Sequence, residues 1–77
     1  MSKNSFHYTT SEIALFDSEM PFTELQKKII DMERHEISKT NIQLELGMSY
    51  KKLNAEEDKI IEKIEKAINQ LVKNGKL

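Results

Sequence analysis

The chain has 77 residues with 12 basic and 13 acidic side chains, a formal net charge of −1, two glycines, one proline and no cysteine. Such a length allows one small domain that buries only about 60% of its unfolded surface, and the lack of cysteine excludes disulfides and thiolate metal sites. No apolar run approaches the roughly 20 residues a bilayer span requires, and Met1-Ser2-Lys3-Asn4-Ser5 lacks the apolar segment of a secretory leader, so a cytoplasmic protein with no membrane association is expected.

Leu, Ile, Glu and Lys dominate, which predicts an all-α fold. Residues 1 to 8 read as a polar tail in which Phe6 and Tyr8 are able to dock, and residues 9 to 77 as a single domain. Thr9 and Glu12 form a capping box and Tyr8 with Ile13 a hydrophobic staple, so a short helix from about Thr10 to Glu19 is expected, ended by Pro21. Thr23 and Gln26 form a second box, starting a helix that runs to about Arg34 with Leu25, Ile29, Ile30 and Met32 on its apolar face.

The next stretch spells two helix starts with a glycine between them. Ser38 caps a helix over about Lys39 to Leu46, with Ile37 and Ile42 as staple and Ile42 and Leu46 facing inward. Gly47 suits the left-handed residue that ends it. Ser49 caps the following helix, with Met48 and Leu53 as staple. That last helix meets no breaker until about Asn74, which makes it ~37 Å long, about twice what a recognition helix needs. The expected fold is therefore a small all-α domain with a helix-turn-helix and a long C-terminal helix.

Charge is uneven along the chain. Residues 1 to 37 carry four basic and seven acidic side chains, whereas residues 38 to 55 carry Lys39, Lys51 and Lys52 against Glu45 alone. Glu56-Glu57-Asp58 follows at once as an acidic collar, which reads as a solvated face. Residues 59 to 77 hold five lysines against two glutamates.

With these residues in place, the chain from Ala14 to about Ile64 resembles region 4 of bacterial sigma factors and the similar LuxR-type DNA-binding domain. The likeness lies in Ala14-Leu15 leading to Met20-Pro21, in Leu25, Ile29-Ile30 and Met32, and in Ile37-Ser38, Ile42, Glu45-Leu46-Gly47-Met48-Ser49 and Leu53. It covers about two thirds of the chain. The resemblance implies a small transcription regulator of the kind carried by phages and mobile elements, with the helix after Ser49 reading the major groove. The chain departs from the family at Gln43, where a small residue is usual, and at Glu56, Glu57 and Asp58, carboxylates that repel phosphate in the middle of a groove-bound helix. Leu53 to Ile61 also distantly resembles the acidic helix of small two-helix sporulation phosphatases, without their serine-glutamine pair.

For DNA, Ser49, Tyr50, Lys51, Lys52 and Asn54 are expected to face the major groove, Asn54 being able to pair with an adenine edge. Ser38, Lys39 and Thr40 are expected at phosphate, through backbone amides and the lysine. The alternative partner is a protein of the transcription machinery: polymerase, a sigma factor or another regulator. His7 and His35 are outside any ligand spacing, and no nucleophile, base and orienting group assemble, so no metal, cofactor or enzymatic activity is expected. Ile61, Ile64, Ile68, Leu71 and Val72 give the lower half of the long helix an apolar face, which predicts a two-fold dimer through that helix. The competing arrangement is a monomer in which Ile13, Leu15 and Phe16 fold back over the same stripe.

Overall fold

The structure, a computed structural model, describes residues 8–76. Phe6 and His7 lie outside the described residues. Those described form four helices and no strand: α1 (Thr10–Glu19), α2 (Glu24–Arg34), α3 (Lys39–Leu46) and α4 (Tyr50–Lys73). None of them is long and apolar enough to cross a membrane.

Every helix begins on a side-chain cap. Thr9 Oγ1 accepts from the Glu12 amide at 3.1 Å while Glu12 Oε1 accepts from the Thr9 amide at 2.8 Å. Thr23 and Gln26 make the same reciprocal pair, both bonds at 3.1 Å. Ser38 and Ser49 accept from the amides of Asn41 and Lys52 at 3.2 and 3.1 Å. Each such cap satisfies an amide that the first turn leaves without a carbonyl, contributing about 1 kcal/mol.

Three helices end on a left-handed residue. Gly47 (φ 64°) closes α3 and Gly75 (φ 73°) closes α4, and beyond them the amides of Met48 and Lys76 reach back to the carbonyls of Gln43 and Leu71. The end of α2 has the same wrapping, with Ile37 N–H donating to Met32 O at 3.1 Å and Glu36 N–H to Glu33 O at 2.9 Å. Its left-handed position, however, is filled by Glu36 (φ 59°), a residue with a Cβ that opposes this conformation.

Helix α4 is the hub. Leu53, Ile60, Ile64, Ala67 and Leu71 line one face of it and are buried against Phe16 of α1, Phe22 of the connection, Ile29 and Ile30 of α2, and Ile42 of α3. The most extensive packing is α1 on α4, with Ile13, Leu15 and Met20 adding partly buried surface. The residues of α4 expected at a dimer interface differ in burial. Ile64 and Leu71 lie in the chain's own core, Ile61 and Ile68 are half-buried, and only Val72 stays exposed, because α1 supplies in the same chain the cover a second subunit would have given. Tyr8, placed in the tail by the sequence, is docked edge-on against Phe16 with ring centres 5.1 Å apart, and its carbonyl accepts from Arg34 Nε at 3.0 Å.

Candidate nucleic-acid interface

The turn between α3 and α4 is Gly47-Met48-Ser49. A Cβ at Gly47 would meet no atom within 4 Å, so glycine is favoured there by its positive φ and not by lack of space. The turn delivers Ser49 as cap and leaves Tyr50, Lys51 and Lys52 exposed in the first turn of α4. Lys51 makes no ion pair among the described residues, and Lys52 Nζ lies 3.6 Å from Glu56 Oε2. Ser38 and Thr40 are exposed at the start of α3.

Lys39 and Asn54, expected at DNA, are engaged with each other. Lys39 Nζ donates to Asn54 Oδ1 at 2.7 Å, stands 3.0 Å from Glu57 Oε1 and lies 5.1 Å from the centre of the Tyr50 ring. Asn54 is half-buried, with its oxygen accepting from Lys39 of α3. Burial pulls the Lys39 ammonium toward deprotonation, but its contact with the Glu57 carboxylate outweighs this, with Tyr50 and Glu33 adding to it, and the pKa is raised above 10.5.

The acidic collar is not a solvated face. Glu56 is 7% exposed and Glu57 0%; only Asp58 of the three is exposed. The cause is register: positions 53, 56, 57 and 60 share one side of a helix, and that side of α4 is the one applied to the other three helices. Glu56 is held by Gln26 Nε2 at 3.3 Å, with Lys52 and Lys59 at 3.6 and 3.8 Å. Gln26 Oε1 in turn accepts from Lys63 Nζ at 2.7 Å, and the same ammonium donates to Pro21 O at 2.7 Å. Glu57 is paired by Lys39, and its Oε2 has no hydrogen-bond partner among the described residues.

Gln26, Glu57 and Lys63 are the polar residues the sequence conceals. The signal that points to the glutamates is the gap in the stripe between Leu53 and Ile60, whose i+3 and i+4 positions are Glu56 and Glu57.

Elsewhere, His35 ends α2 in an exposed position, with Nδ1 2.7 Å from Asp31 O. Gln43, the departure in α3, is half-buried. No group of three metal-ligating side chains occurs among the described residues. An open groove of about 480 Å³ separates α2 from α3, lined by Met32, Ile37 and Leu46 with Lys28, Asp31 and Glu45 at its sides. Also on α3, Leu44 is 75% exposed. Comparison of the chain with family models, curated proteins and solved structures finds no match. The likeness to sigma region 4 therefore rests on the residues quoted above.

Proposed function

We propose that this chain is a small cytoplasmic transcription regulator that binds DNA through the first turns of α4. The observation that carries the reading is the inward turn of Glu56 and Glu57. With those carboxylates buried, the exposed charges between Tyr50 and Ile60 are Lys51, Lys52 and Lys59 against Asp58 alone. The obstacle raised by the acidic run is thereby removed, and a basic outer face follows directly on a capped helix start. Ser49, Tyr50, Lys51 and Lys52 form the contact surface at the groove, and the exposed Ser38 and Thr40 approach phosphate from the start of α3.

Fluorescence anisotropy with a mixed-sequence duplex at low salt tests the proposal. Lys51→Ala/Lys52→Ala is expected to weaken binding and reduce the salt dependence by up to about two phosphate equivalents. A wild-type protein that DNA does not retain at low salt refutes it. The exposed Leu44 of α3 and the open α2–α3 groove favour a second reading, a module that binds a protein of the transcription machinery. Capture from a nuclease-treated lysate separates the two, since a protein contact survives that treatment and a DNA bridge does not.

A further inference from the structure

Lys39 opens α3, at the position from which a helix-turn-helix sends a cation to phosphate, yet its side chain is folded onto α4. Its ammonium sits 3.0 Å from Glu57 Oε1 and 2.7 Å from Asn54 Oδ1, over the Tyr50 ring. Glu57 has no exposure to solvent, and its second oxygen has no hydrogen-bond partner among the described residues. A carboxylate in such a place keeps its charge only while a cation compensates it. Withdrawal of Lys39 would strand that charge, whereas a DNA phosphate would meet the ammonium at a wet, salt-screened surface.

We propose that Glu57 is an internal competitor of the nucleic-acid backbone: it holds Lys39 off the phosphates, so the wild-type protein binds DNA with one cation fewer than its sequence offers. The inference rests on the DNA-binding reading above. Glu57 touches no nucleic acid in this scheme and acts only by positioning Lys39. Removal of its negative charge frees Lys39 to swing outward and makes it an additional phosphate contact.

The test compares the wild type, Glu57→Met and Lys39→Met/Glu57→Met in anisotropy titrations of a mixed-sequence duplex over a series of NaCl concentrations. Methionine fills the space of a glutamate and suits a helix interior. The logarithmic salt slope of Glu57→Met is expected to be steeper than that of the wild type by about 0.9, the value of one released counterion, and the double variant is expected to return to the wild-type slope. Glu57→Met then loses about threefold more affinity than the wild type between 50 and 200 mM salt.

If the wild type and Glu57→Met share a slope and the double variant is shallower, Lys39 already lies on phosphate and the inference is overturned. One slope common to all three overturns it as well, since Lys39 then never reaches the DNA. If no protein binds, both this inference and the DNA-binding reading fall. If the wild type is silent and Glu57→Met binds with the double variant silent again, the basal DNA-binding reading falls and the inference, which describes a wild type that binds with one cation fewer, falls with it. Helicity by circular dichroism accompanies each titration. Should Glu57→Met lose its helical signal, Glu57→Gln and Lys39→Met/Glu57→Gln enter the same comparison with the same outcomes.

Discussion

Replacing Lys39 by methionine is the most direct way to measure how strongly the α3–α4 junction depends on its buried charge. Glu57 is completely buried, so the substitution leaves a carboxylate with neither water nor cation. Breaking a buried pair by removing one partner costs about 3–5 kcal/mol, and because the Lys39 side chain is 28% exposed some rehydration places the loss near the lower bound. A domain of this size has about 4–12 kcal/mol in total. With each kcal/mol shifting the midpoint by about 4–8 °C, a loss of about 3 kcal/mol lowers the thermal midpoint by roughly 12–24 °C. Thermal unfolding followed by circular dichroism at neutral pH reads this directly.

Lys39→Met/Glu57→Met is expected to recover most of that loss, because two apolar side chains replace two desolvated ions. The sign with pH follows from Lys39, whose pKa is raised above 10.5. A raised cation stabilises fully below its unfolded value, so the gap between wild type and Lys39→Met stays constant around neutrality and closes only as the pH rises past 10.5 through the folded pKa. If Lys39→Met unfolds within about 3 °C of the wild type, less than one kcal/mol is involved and the account of Glu57 as a charge held by its partner is wrong.

Two further outcomes follow from the backbone and the core. Glu36→Gly relieves the left-handed conformation at the end of α2 and is expected to stabilise the protein by about 1 kcal/mol, read as a midpoint about 4–8 °C higher; an unchanged or lower midpoint contradicts the strain assigned to this residue. Because α1 covers α4, sedimentation at micromolar concentration is expected to give a concentration-independent mass of 9.0 kDa that Val72→Glu leaves unchanged, and a species of twice that mass would restore the two-fold arrangement.

The helix starts were legible because each cap is a local event: Thr9, Thr23, Ser38 and Ser49 act on amides three residues away, and a sequence displays such spacings directly. Glu36 was less legible, since nothing in a glutamate announces a left-handed residue. The stripe on α4 was visible, but what covers it was not. Phe16 and a second copy of Ile68 are equally apolar, and periodicity does not say which of them arrives. The exposure of the α4 start was legible, and the contacts between helices were not. Tyr50, Lys51 and Lys52 were positioned by the turn itself, whereas Lys39 and Glu57 belong to different helices and meet only through the packing of α3 on α4. Charge also misled, because three consecutive acidic residues suggest solvent even where the helical period turns two of them inward.

The position of α4 at the end of the described chain has a consequence for how the protein is born. Each of the first three helices makes its main packing with α4, so none of them has its principal partner until that last helix has been synthesised. Between the end of α3 at Leu46 and Leu71 the ribosome must add the hub residue by residue, which at about 5–20 residues per second takes roughly 1–5 s. During that interval Phe16, Ile29, Ile30 and Ile42 lack the surface that buries them in the finished fold. A chain cut short within α4 before Leu71 therefore lacks part of the surface on which those four side chains are buried.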